Sequence, residues 1–108
     1  MPTATKPSVF ARRLHEARLA AGLSQKILGI EAGLDRFVAS ARVNRYEKGT
    51  HEPPSNVAAK LAEALGVPLA YLYAEDERLA EVIALFARAS KRKQNVALKL
   101  LRPSKSSS

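Results

Sequence analysis

The residues best equipped for chemistry lie in one stretch, RFVASARVNRYEK, from Arg36 to Lys48. Arginine presents a planar fork of N–H donors that suits guanine O6 and N7. Asparagine pairs with N6 and N7 of adenine, and a small apolar residue such as Ala41 can meet a thymine methyl. Arg36, Arg45 and Lys48 are better matched to phosphate oxygens. A basic run by itself is equally well explained as a solvated helix face, so the flanking segments have to decide. Other chemistries find no support. The 108 residues contain no Ser/His/Asp or Cys/His set, no paired-carboxylate site and no phosphate-cradling glycine-rich loop, so no enzyme is expected. His15 reads as a solvated residue on the outer side of a helix. His51, beside Glu52, has no second nitrogen or sulfur ligand near it in the chain. Neither metal nor cofactor is expected, and zero cysteines exclude disulfides and thiolate-bound zinc.

The segments that must position this stretch are helical. Upstream stands Leu23-Ser24-Gln25, with Ser24 as N-cap and Gln25 as first helical residue. Ile27, Leu28 and Ala32 follow as a short apolar-periodic run, closed by Ala32-Gly33 in the manner of a helix end. The Arg- and Asn-bearing helix comes next and ends at Tyr46-Glu47-Lys48-Gly49. Two short helices joined by a glycine-containing connection, the second basic, outline a helix-turn-helix. A first helix is expected over about Val9 to Ala21, capped by Ser8 and ended by Gly22. Its buried stripe is Phe10, Leu14, Ala17 and Ala21, with Arg12, Arg13, His15, Glu16 and Arg18 at the other positions. A fourth, Asn56 to Leu65, takes Ser55 as cap and Val57, Leu61 and Leu65 as core. Pro68 falls at the first position of a short fifth helix, whose Leu69, Leu72 and Tyr73 close over that core.

Leu23-Ser24-Gln25, Leu28, Ala32-Gly33, Val43, Tyr46-Glu47-x-Gly49 and Leu61-Ala62-x-Ala64-Leu65-Gly66-Val67 together resemble the helix-turn-helix domains of phage-repressor-like (lambda repressor and Cro-type) transcriptional regulators. No single piece is specific; their ordered combination is, and it spans roughly Phe10 to Tyr73. The resemblance implies that the N-terminal residues of the third helix meet base edges in the major groove. Counted back from Tyr46-Glu47, these are Ser40, Ala41, Arg42 and Asn44. It implies a phosphate contact for Gln25 at the positive end of the second helix, beside Lys26, with Arg36, Arg45 and Lys48 as further phosphate partners. It also implies an ion pair between Arg18 and Glu47, tying the first helix to the third.

Three departures from the family pattern stand out. Ile27 occupies the place where an acidic residue completes a capping box. Gly29 replaces a small alanine, at about 1 kcal/mol of helix propensity, in a position where the two helices approach closely. Twelve residues, 34–45, separate Gly33 from Tyr46 where the pattern has about eight. The extra residues either lengthen the third helix from Arg36, capped by Asp35, or enlarge the turn. A lengthened helix exposes Phe37 and Val38. An enlarged turn, the better fit, folds one of them onto the core and lets Ser40 cap a helix from about Ala41.

Lys and Arg outnumber Asp and Glu by 18 to 10, a net charge of +8, which favours an anionic partner. Residues 1–76 hold 10 basic and 8 acidic side chains, net +2, and residues 77–108 hold 8 and 2, net +6. Glu75-Asp76-Glu77 opens a sixth helix with apolar residues Leu79, Val82, Ile83 and Phe86. Ser90 caps a seventh helix reaching about Leu101 and bearing Val96, Ala97, Leu98, Leu100 and Leu101. These last two helices are surplus to the domain, and their apolar residues have two possible destinations, the same core or a second subunit. No run approaches the ~20 apolar residues of a membrane span and no signal peptide is evident, so a cytoplasmic protein is expected. The expected layout is a loose arm over 1–7, in which Lys6 is a minor candidate for DNA contact, and an all-α five-helix domain over 8–75. A C-terminal helical pair over 76–102 and a disordered tail over 103–108 complete it. The expected function is sequence-specific binding of double-stranded DNA in transcriptional control, as a repressor and homodimer, with no small-molecule substrate. The alternatives are an antitoxin or adaptor that uses the fold to bind a protein and, more weakly, a non-specific RNA or DNA binder acting through the basic tail.

Overall fold

Short-range capping chemistry sets most of the helix boundaries. The computed structural model describes residues 8–104; the expected N-terminal arm with Lys6 and the last four residues of the expected tail lie outside them. Among the described residues the chain is all-α, with seven helices: α1 Val9–Ala21, α2 Gln25–Glu31, α3 Ala39–Lys48, α4 Ser55–Leu65, α5 Leu69–Tyr73, α6 Glu77–Arg88 and α7 Lys91–Leu101. Ser8, Ser24, Asp76 and Ser90 each accept a hydrogen bond from the backbone N–H three residues on, which satisfies a donor that the helix itself cannot. Two boundaries fall differently from expectation. Ser55 is the first helical residue of α4 rather than its cap, and Pro54 stands at the cap position with no side-chain bond. Likewise Pro68 precedes α5 instead of opening it.

The core is built where α1 to α5 converge. Phe10, Leu14 and Ala17 from α1 meet Leu28, Ala32, Val43, Tyr46, Ala58, Leu61, Leu65 and Leu72. Ala21, expected in this stripe, is exposed because α1 ends as it leaves the core; Ala11 is buried in its place. Tyr73 is half-exposed, though its ring packs tilted against Phe10, with the centroids 5.2 Å apart.

Arg13 joins this body to α6. Its side chain is 2% exposed, which the helical pattern had assigned to the outer side of α1. Nε donates to the Ala74 carbonyl at 2.8 Å, Nη2 to the Glu75 carbonyl at 3.4 Å, and Nη1 to Glu77 Oε1 at 3.0 Å. The guanidinium also lies over the Tyr71 ring, 5.5 Å from its centroid. Arg12 adds a second contact to Glu77 at 2.8 Å. These hydrogen bonds, from Arg13 and then Arg12, hold the Glu77 carboxyl below the ordinary carboxylate range. Beyond this joint, α6 buries only Ala80, and α7 buries nothing.

Candidate nucleic-acid interface

α3 has one buried side and one open side. Ala39, Val43, Tyr46 and Glu47 are buried, and their spacing along the 3.6-residue turn places them on one face. The opposite face carries Ala41, Arg45 and Lys48, all exposed, with half-buried Asn44. Ser40 and Arg42 occupy the two flanks. Arg42 is half-buried and laid back along its own helix, with Nη2 donating to the Tyr46 hydroxyl at 2.9 Å and the guanidinium 6.0 Å from the Tyr46 ring centroid.

Glu47 fixes this helix against the other two. Its side chain is 4% exposed. Arg18 approaches it as a fork, Nε at 2.5 Å from Oε2 and Nη2 at 3.1 Å from Oε1. His15 Nδ1 lies 2.8 Å from Oε1, and since a carboxylate can only accept, that nitrogen carries the proton. Gln25 Nε2 donates to the same oxygen at 3.1 Å. Arg18 Nη1 donates in turn to the Leu23 carbonyl at 2.9 Å. α1, α2 and α3 thus share one buried carboxylate. Burial pushes its pKa up, but the hydrogen bonds from Arg18, His15 and Gln25 outweigh that and hold it below the ordinary range. The bond to Glu47 raises the Arg18 pKa in the same way. His15, exposed over much of its ring, is therefore a partner in this cluster rather than a merely solvated residue.

The approach of α2 to α3 depends on Gly29. A Cβ there would stand 2.7 Å from Ala39 Cβ and 3.0 Å from the Ala39 carbonyl oxygen. Between the helices, Gly33 turns the chain with φ +90°, and residues 36–38 form a turn that leads into Ala39. The extra residues enlarge the turn instead of lengthening α3 from Arg36. They do so without covering the core: Phe37 and Val38 are exposed, and Ala39 fills the slot that Gly29 leaves. Ser40 lies inside α3 and caps nothing. Asp35 closes the turn, its side chain accepting from the Phe37 N–H at 2.8 Å and its carbonyl from the Val38 N–H at 3.0 Å.

The arrangement is two short helices packed tightly across a turn, the second open to solvent on a basic face. A helix-turn-helix domain family matches residues 9–72. The chain belongs to the helix-turn-helix family. Among solved structures, a transcriptional regulator, BswR, is similar at 40% identity and a TM-score of 0.79, over 84% of this chain and 90% of that one. No curated protein matches the chain. The helix-turn-helix places the residues singled out from sequence in three settings. Ala41, Asn44, Arg45 and Lys48 share the open side of α3, and Ser40 and Arg42 border it. Arg36 is exposed in the turn, its guanidinium 5.9 Å from the Phe37 ring centroid. At the start of α2, Lys26 is exposed, while the Gln25 amide is engaged by Glu47. No helix of the described residues is long and apolar enough to cross a membrane, and no group of three or more potential ligands there could hold a metal.

Proposed function

We propose that this helix-turn-helix protein is a sequence-specific DNA-binding transcriptional regulator of phage-repressor type, a repressor that lays α3 in the major groove. The sidedness of α3 is the observation that supports this reading. Everything apolar or acidic on the helix faces inward except Ala41, and what remains outside is amide, hydroxyl and cation. Ser40, Ala41, Arg42 and Asn44 take the base edges. Arg36, Arg45, Lys48, Lys26 and Gln25 take phosphates, Gln25 through the amide N–H left over from Glu47 and the first backbone N–H groups of α2.

One short recognition helix offers too few base contacts for the ~10⁻⁸–10⁻¹¹ M affinities of specific sites. A two-fold dimer provides a second, set about 34 Å away on the same side of the duplex. The C-terminal pair supplies the surface for it. Leu79, Val82 and Leu85 on α6 and Val96, Leu98, Leu100 and Leu101 on α7 are all exposed, and Val82, Phe86, Ala97 and Leu101 line a groove between the helices. Such a surface is normally an interface, and a second copy of the chain is the partner this reading assigns to it.

Selection of bound fragments from random duplex DNA tests the function: a palindromic consensus is expected. On that site Arg42→Ala and Asn44→Ala each weaken binding by about 1–3 kcal/mol and relax one base pair. Failure to enrich any sequence overturns the DNA-reading function in favour of a protein-binding module. Light scattering at micromolar concentration tests assembly. A monomer mass, unchanged by Val82→Asp or Leu101→Asp, overturns the dimer.

A further inference from the structure

Phe37 is the most exposed large apolar side chain among the described residues, at 89%. A phenyl ring so placed contributes nothing to the core, yet the backbone beneath it is carefully held. Its own N–H donates to Asp35 Oδ1, the next N–H closes onto the Asp35 carbonyl, and α3 begins two residues later. The ring stands three and four residues before Ser40 and Ala41, and seven before Asn44. In a turn wound in the helical sense, this spacing continues the open side of α3 past its N-terminus. One cation lies against it, the Arg36 guanidinium 5.9 Å from the ring centroid, and Arg45 and Lys48 are exposed on α3 beyond. A polyanion that docks on those cations covers the ring as well.

We propose that Phe37 reads the 5-methyl group of a thymine, an apolar specificity contact added to the hydrogen-bonding set on α3. The inference rests on the DNA-reading function above and goes beyond it in naming a base and a residue outside the helix. Chemistry selects the thymine. A phenyl ring has no donor or acceptor, so it cannot read the polar pattern of base edges. The one apolar group that the four bases display in the major groove is the thymine methyl. Intercalating wedges are the other use of an exposed aromatic on DNA, and they enter from the minor groove, which α3 does not face. The enlarged turn thereby acquires a purpose: it carries the ring beyond the N-terminal end of the helix, toward a base pair that α3 itself does not reach.

The test uses the full chain, wild type and Phe37→Ala, selected in parallel on random duplex DNA. An exposed ring adds little to folding, so both fold. The wild type is expected to enrich a site with a fixed thymine that becomes indifferent in Phe37→Ala, the other positions being retained. Replacing that thymine by deoxyuridine deletes only the methyl. It weakens wild-type binding about 3- to 10-fold, leaves Phe37→Ala unchanged, and still weakens Phe37→Leu, which keeps an apolar contact. Three results overturn the assignment: wild-type affinity that ignores deoxyuridine at every thymine of the site, a Phe37→Ala loss equal on all sequences, or no loss at all. A wild type that enriches no sequence defeats the DNA-reading function itself, a result separable from these three.

Discussion

Gly29→Ala pits two effects of opposite sign against each other. By helix propensity alone, alanine stabilises α2 by about 1 kcal/mol. Against this, its Cβ falls 2.7 Å from Ala39 Cβ, 3.0 Å from the Ala39 carbonyl oxygen and 3.1 Å from Ala39 Cα. Carbon atoms in contact prefer about 3.5–4.0 Å, so α2 and α3 must separate by roughly 1 Å. None of the opposing atoms is the free end of a flexible chain that could swing aside. Overpacking of this kind costs about 1–3 kcal/mol. A gap of that width also forfeits part of the packing of Leu28 and Ala32 against Val43. The steric effect wins, and we expect a net loss of about 1–2 kcal/mol. Urea unfolding followed by circular dichroism reads this directly, and each kcal/mol lowers Tm by about 4–8 °C. Ala39→Gly in the same background should recover part of the loss, since the shortest contact disappears. A Gly29→Ala protein about 1 kcal/mol more stable than wild type would refute the close approach of the two helices.

Glu47→Ala leaves Arg18 buried and unpaired and is expected to destabilise by about 3–5 kcal/mol, whereas His15→Ala, removing an exposed partner, costs under about 1 kcal/mol; the urea midpoints separate the two. Because the folded-state pKa of Glu47 is lowered, its contribution is fully present above the ordinary carboxylate value of about 4.3 and fades as pH falls through the folded one. Stability measured from pH 7 down to pH 3 should therefore drop below that value, and the drop should be shallower in Glu47→Gln. An equal acid response in both proteins would assign the loss to other carboxylates, Glu77 first among them, since its pKa is also lowered. Arg13→Met strips partners from the Ala74 and Glu75 carbonyls and from Glu77, at about 1–3 kcal/mol. Hydrogen exchange in α6 should quicken more than in α3, and uniform quickening across the chain would contradict a local joint.

Much of the fold could be read from the chain because its signals are local. Ser8, Ser24, Asp76 and Ser90 mark helix starts through bonds that reach three residues. Gly22, Gly49 and Gly66 mark ends through a left-handed φ that glycine adopts without strain. The central apolar residues Leu14, Leu28, Val43, Tyr46, Leu61, Leu65 and Leu72 follow from helical spacing. What escaped depends on distant partners. Arg13 has the periodicity of a surface residue, and its burial is explained by partners about sixty positions away: the Tyr71 ring, the carbonyls of Ala74 and Glu75, and the Glu77 carboxylate. His15 looked solvated because Glu47 lies 32 residues on. For Phe37, the rule that large apolar side chains seek the core gave the wrong destination. Gly29 leaves a slot only a methyl wide, and Ala39 takes it, so a phenyl ring has nowhere to enter. Arg42 shows the same limit within the candidate site: its type and position are legible, its bond to the Tyr46 hydroxyl is not.

The shared carboxylate at the centre of the three helices has an effect at long range. Glu47 is the one acidic residue of α3 and, by formal charge, offsets one of Arg42, Arg45 and Lys48. Folding turns it inward, where the guanidinium of Arg18 cancels it at close quarters. The open side of α3 thus keeps three cations with no anion of the helix itself among them, and the helix contributes more positive potential there than a tally of its charges gives. A polyanion drifting toward this side meets an attractive field before touching any side chain, tempered where Glu52 lies beside Arg42 and Arg45, steepest in dilute salt and fading over the ~10 Å screening length of 0.1 M electrolyte. Moving that single carboxylate to the outer side would leave the composition of the helix unaltered and blunt the field that guides the encounter.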